Sequence, residues 1–403
     1  MKRKAKTNTK PTRKRRLGAY WSFVLIVSGI IVLFLLLSLI KSFGDWYVDH
    51  IFPLLHGVVA RVWNVFPFAF GEIVMYAGAV LVAVTIVWSL VMGILAVIRA
   101  ARKKERKKRR VYRIYMKSIL VVALLFLWCY LFHWWLPYSG HVCGRDTKRQ
   151  EITSEDFRVA LVEIGKRIGW AQQNVVRDEN GLIVYLSDEE AFKVIIRSMQ
   201  KLSEQYPRLK GYYGRPKVAL CSDVLDWMGI GGYTYPYTME ITYNKYVDKF
   251  YWYALQAHET AHYKGFYKEN EGSFIGFLAC LTSDDPLMVY SGCYDAYWDV
   301  LNDYYDALQN EYGKDADAKY AEYWLAGIGF DMELAVSDEM HAEKVAQEVY
   351  ENDDHPLEEY SDTVEEVGDA GWETQDAVIA ENDYDDVVRM IAEYYKEKKA
   401  EAR

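Results

Sequence analysis

The sequence predicts a membrane protein in which three transmembrane α-helices precede a mainly helical, α+β domain with a small sheet outside the cytoplasmic membrane. Three apolar runs lie before residue 138, Lys and Arg cluster beside them, and the rest of the chain is strongly acidic. Up to residue 137 the chain has 22 Lys and Arg against 4 Asp and Glu, and the remainder has 26 against 52. Because so acidic a domain repels phosphates, we expect no nucleic-acid partner.

The three apolar runs cover residues of about 20–43, 70–99 and 115–137. Each approaches or exceeds the ~20 apolar residues that cross a bilayer. The first run is longer than the apolar part of a signal peptide, and no small-residue cleavage site closes it, so we expect it to be retained as a span. The lipid bilayer is therefore a predicted partner of the chain.

The distribution of Lys and Arg predicts the orientation of these spans. Nine Lys and Arg lie in the tail at 1–19 and ten in the loop at 99–113, whereas Arg61 is the only one in residues 44–69. Loops rich in Lys and Arg stay on the cytoplasmic side of the membrane. We therefore expect a basic cytoplasmic tail at 1–19, a multi-pass membrane domain at 20–138 and an extracytoplasmic domain at 139–403.

The segment at 44–69 is apolar and aromatic, but Pro53 and Pro67 interrupt it. Such a segment is expected to lie in the membrane interface, or to re-enter the membrane, on the outer side. A lid over the outer domain is an alternative. Trp134 and Trp135 at the end of the third span are typical of the aromatic belt at the membrane surface.

Helices and short strands are predicted in the outer domain from residue spacing and from capping residues. Helices are expected at 153–173, 187–206 and 247–265, and strands at 217–221 and 237–244. Gly265 is suited to end the third helix, because glycine readily adopts the left-handed conformation after a helix C-terminus. The acidic stretch at 351–375 is expected to form a surface loop.

The stretch HETAHYKGFYKENEGSF at 258–274 carries the residues typical of a metal site. Histidines at i and i+4 share one helix face, so His258 and His262 can reach one metal ion. Zinc lowers the pKa of a bound water to ~7 and polarises a carbonyl group, and a nearby glutamate can accept the proton. We therefore expect one Zn²⁺ per chain, with Glu259 as the catalytic base.

A catalytic zinc ion normally has three protein ligands. Position 268 is a lysine, so the third ligand is expected to be a carboxylate instead of a third histidine. Glu269 shares a helix face with small or polar residues such as Ser273, whereas Glu271 shares one with apolar residues such as Phe274. We therefore favour Glu269 as the ligand and keep Glu271 as the alternative. Ser273 is expected to support a ligand histidine.

An extended segment upstream of the motif is a candidate for substrate binding. Zinc peptidases commonly hold the substrate as an additional strand on the edge of a sheet. The predicted partner is thus a peptide or protein, and the residues expected to bind it are Met239, Glu240, Ile241 and Thr242.

The run at 258–292 resembles an uncharacterised bacterial family of membrane-anchored proteins with an HExxH domain of unknown function. Its pattern is similar to H-E-x-x-H-x-x-G-F-x-x-E-x-E-A-N-F, except that Gly272 and Ser273 replace Ala and Asn. The segments at 221–244 and 384–395 are similar as well. This resemblance implies a zincin-like fold with a glutamate-containing, gluzincin-like zinc site.

Two functions are compatible with these observations. The first is a membrane-anchored zinc metallopeptidase that hydrolyses peptide bonds outside the cytoplasmic membrane, and the intact His258, Glu259 and His262 favour it. The second is a non-catalytic metal-binding or regulatory membrane protein that retains the zincin fold. The replacement of the family's Ala and Asn by Gly272 and Ser273 is compatible with this second function. Proteolysis within the membrane is excluded, because the flanks of the motif are too short and polar for a span.

Overall fold

A computed structural model of the protein describes residues 18–102, 110–144, 150–356, 358–368 and 383–401. Its long apolar helices are α1 (Ala19–Leu37), α4 (Phe70–Ala101) and α5 (Arg110–Tyr130). A π-helical turn at Leu131–Trp135 and a short helix at Leu136–Tyr138 extend α5. In the described part of the chain, these are the three helices long and apolar enough to cross a membrane, as predicted.

Two shorter helices, α2 (Lys41–His50) and α3 (Phe52–Trp63), connect α1 to α4. Pro53 lies in the first turn of α3, where its missing N–H removes no helical hydrogen bond. Both helices bury one face: the Tyr47 hydroxyl donates to the carbonyl of Phe132 at 2.8 Å, and the rings of His56 and Tyr263 are 4.2 Å apart. The first predicted span ends earlier than expected because α2 begins at Lys41.

The remaining elements form the domain that follows the three apolar helices. Its strands are β1 (Lys217–Val218), β2 (Gly232–Tyr235) and β3 (Glu240–Tyr243). Its helices are α6 (Ser154–Asn174), α7 (Asp188–Leu202), α8 (Ser222–Trp227), α9 (Trp252–Tyr263), α10 (Glu269–Leu281), α11 (Pro286–Tyr312), α12 (Ala316–Leu325), α13 (Met332–Glu351), α14 (361–368) and α15 (Asp383–Glu401).

Capping residues explain where the first helices of the domain begin. The side chain of Thr153 accepts the N–H of Asp156, and the Asp156 carboxylate accepts the N–H of Thr153. Ser187 and Glu190 form the same reciprocal pair at the start of α7. Each pair satisfies N–H groups that the first turn of a helix leaves without a partner. The predicted starts of these two helices are therefore confirmed.

The three strands of the described sheet are ordered β1-β3-β2, with β1 parallel and β2 antiparallel to β3. The strands predicted at 217–221 and 237–244 are confirmed as β1 and β3, which are shorter than expected. The strand β2 was not predicted, because the glycines at its start indicate a turn. The sheet packs against α9, and α10 packs between α9, α11 and α15. The expected loop at 351–375 is wrong for residues 361–368, which are helical, while 369–375 lie outside the described residues.

Candidate metal centre

Two neighbouring helices bring three potential metal ligands together. Oε2 of Glu269, the first residue of α10, lies 3.3 Å from Nε2 of His258 and 3.5 Å from Nε2 of His262 on α9. One donor atom from each residue lies within 4.8 Å of the others. Among the residues that the structure describes, this is the one group of three or more His, Cys, Asp or Glu side chains with that geometry.

A tight turn between α9 and α10 creates this arrangement. Gly265 has a φ of 93°, which glycine adopts without the strain that a side chain would cause. A Cβ atom at this position would also lie 2.9 Å from Cγ2 of Val48 and 3.0 Å from Cε1 of Phe52. Gly265 thus lets the chain turn back sharply against α2 and α3, so that α10 starts beside the histidines.

The second nitrogen of each imidazole has its own partner. His258 Nδ1 lies 3.1 Å from the hydroxyl of Ser273, and His262 Nδ1 lies 2.6 Å from the carbonyl oxygen of Phe266. A carbonyl oxygen only accepts hydrogen bonds, so Nδ1 of His262 carries a proton, and only Nε2 can offer a lone pair once the ring is neutral. The structure therefore places Ser273 in contact with His258, as expected, and adds a contact of Phe266 with His262, which the sequence did not indicate.

Glu271 lies outside this group. One of its carboxylate oxygens accepts the N–H of Cys143 at 2.5 Å, and the other accepts the N–H of Lys268 at 3.1 Å. These bonds satisfy backbone N–H groups at the start of α10 and in the segment that follows the third apolar helix. Burial raises the pKa of the Glu271 carboxyl. Of the two carboxylates that the sequence left open, the structure brings only Glu269 to the histidines.

Small residues on α10 let it approach α9 closely. A Cβ atom on Gly272 would lie 2.6 Å from Cε1 of His262 and 3.1 Å from Cε1 of His258. One on Gly276 would lie 2.9 Å from the backbone nitrogen of His258. The glycine at position 272 thus leaves room for both imidazole rings in their present positions.

Glu259 lies on the side of α9 that faces β2, and only 4% of its surface is exposed. The Thr234 hydroxyl lies 2.9 Å from the carbonyl oxygen of Glu259 and 3.1 Å from its Oε2 atom. Burial raises the pKa of Glu259, while the neighbouring His262 and His258 oppose this change. A carboxylate whose pKa is raised is a stronger base, which suits a group that accepts a proton. Thr234 was missed because its strand is preceded by a glycine-rich turn.

The charges of the ligand group depend strongly on one another. Burial lowers the pKa of His262, but its hydrogen bond to Glu269 and the charges of Glu269 and Glu259 outweigh this and raise it to about 9. Burial likewise acts to raise the pKa of Glu269, yet the two histidines hold it well below its usual value. In the absence of a metal, the carboxylate is therefore ionised and His262 binds a proton.

The predicted substrate strand does not lie at an edge. All four residues of β3 pair with β2, and Thr242 and Tyr243 also pair with β1 on the other side. The four residues expected to bind substrate are buried. Substrate binding by strand addition at Met239, Glu240, Ile241 and Thr242 stays a prediction, although β3 is the central strand of the described sheet and these residues are buried. In the described sheet, β2 is the edge strand beside Glu259.

A cavity of about 390 Å³ lies beside His258. His258 and Ser273 line it on one side, and α11 contributes Asp295, Asp299 and Asp303 on the other. These aspartates are four residues apart and therefore follow one face of α11. The space next to the first histidine is thus bordered by acidic side chains.

Comparison with known proteins gives one match. A family model described as "Protein of unknown function (DUF3810)" matches residues 47–364. The matched region contains the end of α2, all of α3, the second and third apolar helices, the sheet and both helices of the histidine–glutamate group. No curated protein and no solved structure matches the chain.

Proposed function

The chain belongs to the DUF3810 family of unknown function, and we propose that it is a membrane-anchored, zinc-dependent metallopeptidase that hydrolyses peptide bonds outside the cytoplasmic membrane. The single observation that carries the proposal is the convergence of His258, His262 and Glu269, with the buried Glu259 beside them. Two imidazoles and one carboxylate are a ligand set of zinc hydrolases, which keep a fourth position open. We assign the domain a zincin-like fold of the gluzincin type on this basis.

The donor set fits zinc in its chemistry and in its support. Both imidazoles have partners at Nδ1, which leaves both Nε2 atoms directed at Glu269. Support of this kind fixes the orientation of a ligand histidine. When bound, zinc would supply Lewis acidity, which activates water and polarises the carbonyl group of a substrate.

The protein's own residues would carry the proton and orient the substrate. Glu259 would accept the proton of the attacking water and later donate it to the leaving amine, with Thr234 holding its carboxylate. A peptide could add to the free edge of β2, next to Glu259, through backbone hydrogen bonds. Burial raises the pKa of Asp295 to about 7 and also raises that of Asp299, so this side of the cavity would favour positively charged substrate groups near His258 mainly above neutral pH.

The first experiment measures metal in the full-length protein, purified in detergent without chelators. Elemental analysis should find about one zinc ion per chain, as one three-ligand site would hold. Glu269→Gln should lose most of the zinc, whereas the matched Glu271→Gln should retain it, because Glu271 contacts backbone N–H groups instead of the histidines. Absence of metal above background, or metal loss confined to the Glu271 variant, would contradict the assignment.

The second experiment separates catalysis from metal binding. Glu259→Gln should keep the zinc and lower the rate at which a fluorescence-quenched peptide library is cleaved by about 10²–10⁴-fold, the usual contribution of a general base. If the variant cleaves at the wild-type rate, Glu259 is not the base. If the wild-type protein binds zinc but cleaves no peptide, the alternative of a non-catalytic metal-binding or regulatory protein takes precedence.

A further inference from the structure

Helix α3 is apolar on both of its faces, but only one face is covered by protein. Phe52, His56 and Ala60 are buried against the rest of the protein. On the opposite face, Leu54, Val58 and Val62 are exposed by 69%, 66% and 54%. Helices that are apolar all round are normally covered on all sides. We therefore expect an apolar partner to cover this exposed stripe of Leu54, Val58 and Val62.

The exposed stripe also lacks charge. Arg61 is the only Lys, Arg, Asp or Glu in α3. Its guanidinium group donates to the carbonyl of Gly57 at 2.6 Å and lies 4.5 Å from the ring centre of Tyr212, a residue of the following domain. The charge is thus turned towards the domain, and the stripe presents aliphatic side chains.

The stripe continues directly into the lipid-facing surface of the spans. Trp63 at the end of α3 stacks on Phe70 at the start of α4, with ring centres 4.4 Å apart, and Phe66 stacks on the same ring at 5.0 Å. Between them Val65 is 78% exposed. Aromatic residues are enriched where spans leave the bilayer. A lipid surface that surrounds α4 would therefore also reach α3.

The covered face of α3 contacts the helix that carries the histidines. The ring of His56 is 4.2 Å from that of Tyr263, which directly follows His262, and the ring of Phe52 is 5.9 Å from that of Tyr267. One helix, about 10 Å across, thus separates the C-terminal end of α9 from the exposed stripe.

The edge strand β2 also ends at the spans. Tyr235, its last residue, lies against Gly71 in the first turn of α4, where a Cβ atom would come within 2.5 Å of the tyrosine ring. Tyr237 in the following turn is 5.0 Å from Phe126 of α5. A peptide that adds to β2 would therefore run along a strand that points to the membrane.

We propose that the exposed face of α3 is embedded in the lipid leaflet on the side of the domain, and that the site acts on membrane-anchored chains close to the bilayer. The lipid contact is independent of catalysis, whereas the substrate class rests on the proposed peptidase function. Amphipathic or apolar helices of this kind lie in the membrane plane with their apolar face in the boundary between headgroups and acyl chains.

The lipid contact is tested with an environment-sensitive fluorophore attached to the cysteine of the Val58→Cys variant of the full-length protein. In this protein, the native cysteines that are partly exposed are first replaced by serine, so that only position 58 is labelled. The protein is reconstituted in vesicles of phosphatidylcholine and phosphatidylglycerol. Spin-labelled phosphatidylcholine should quench the probe at position 58, and aqueous iodide should not. Val345→Cys, an exposed valine on α13, is the matched control and should show the opposite pattern. The proposal is overturned if both positions show the same quenching pattern. It is also overturned if Val58→Cys cross-links to a second copy of the chain, because protein instead of lipid would then cover this face of α3.

The substrate class is tested with one cleavable sequence placed about 5 or about 30 residues from a transmembrane anchor in the same vesicles. An extended chain spans at most ~3.3–3.6 Å per residue, so the short spacer suffices to cross one helix layer. The short-spacer substrate should be cleaved about tenfold faster than the long one. Equal rates, or faster cleavage of the same peptide free in solution, would refute the substrate class. If the wild-type protein cleaves none of them, the peptidase proposal fails, while the fluorescence result still decides the lipid contact.

Discussion

Each histidine of the candidate site is oriented by the atom that its Nδ1 contacts. Ser273 has this role for His258, at 3.1 Å, and the carbonyl of Phe266 has it for His262, at 2.6 Å. The backbone contact remains in any side-chain variant, whereas the hydroxyl contact can be removed by substitution. The two histidines therefore differ in how easily their support can be tested.

Ser273→Ala should weaken zinc binding by about 10–100-fold, the usual effect of losing a partner of a ligand histidine. Competition with a zinc-binding dye measures this affinity in the detergent-solubilised protein. Ser203→Ala at the C-cap of α7 is the control and should leave zinc affinity unchanged. Equal affinities in the two variants would show that the Ser273 hydroxyl does not support the site.

At the proposed zinc site, we expect zinc and protons to compete for His262. Its pKa is raised to about 9, so the metal-free protein holds a proton there at neutral pH, and a metal ion must displace it. Zinc affinity should therefore increase as the pH rises from about 6.5 to 9 and then level off. Calorimetry in buffers with different heats of ionisation measures the released proton. Glu269→Gln removes the carboxylate that raises the pKa, so residual zinc binding should release less proton at pH 7.5; an affinity independent of pH would contradict this prediction.

At the level of elements, one buried carboxylate attaches the second apolar helix, α4, to the sheet. Glu240 on β3 accepts the N–H groups of Phe70 at 3.2 Å and Gly71 at 2.7 Å, at the start of α4. It also forms an ion pair with Lys217 on β1, and both side chains are almost fully buried. A negative charge at a helix N-terminus is favourable, and here it is held in place by the sheet.

Glu240→Ala should destabilise the protein by about 3–5 kcal/mol, because it leaves the charge of Lys217 buried without its partner. Thermal unfolding of the detergent-solubilised chain, followed by tryptophan fluorescence, measures the change. Lys201→Ala breaks an exposed ion pair with Asp284 and should change the free energy of unfolding by only ~0–1 kcal/mol. Similar losses in both variants would show that Glu240 does not anchor α4.

The parts of the site that could be predicted from the sequence are those set by local spacing. The common face of His258 and His262, and the preference for Glu269, follow from helical periodicity within a short stretch. The edge strand could not be predicted, because Gly-rich residues before Tyr233 indicate a turn and the pairing of β3 with β1 joins distant segments. The contact of Glu240 with Phe70 spans 170 residues, and no local pattern encodes it.

At the level of the whole molecule, the spans and the following domain share one apolar core. Tyr47, Phe52 and Leu131 belong to the same buried cluster as Tyr263 and Phe266. The sequence indicates a membrane domain at 20–138 and a separate domain at 139–403, because composition changes sharply between them. Composition does not show which surfaces meet, so the shared core could be found only in three dimensions.

Residues 139–403 produced alone should therefore lose stability. Without α2 and α3, the aromatic rings of Tyr263 and Tyr267 lose their apolar cover next to the turn at Gly265. Near-ultraviolet circular dichroism should show weaker tertiary packing than in the full-length protein, and a dye that binds exposed apolar surface should bind more strongly. A cooperative unfolding transition with unchanged zinc affinity would contradict this expectation.

The shared core also limits where the protein can work. In many anchored proteins, a cut in the linker after the last span releases a diffusible catalytic domain. Here a cut after Tyr138 would separate the domain from α2 and α3, which pack beside Gly265, and from the start of α4, which Glu240 holds. For the membrane-anchored peptidase proposed above, such a cut would remove part of the core beside the candidate site, so we expect activity only while the domain stays joined to its apolar helices.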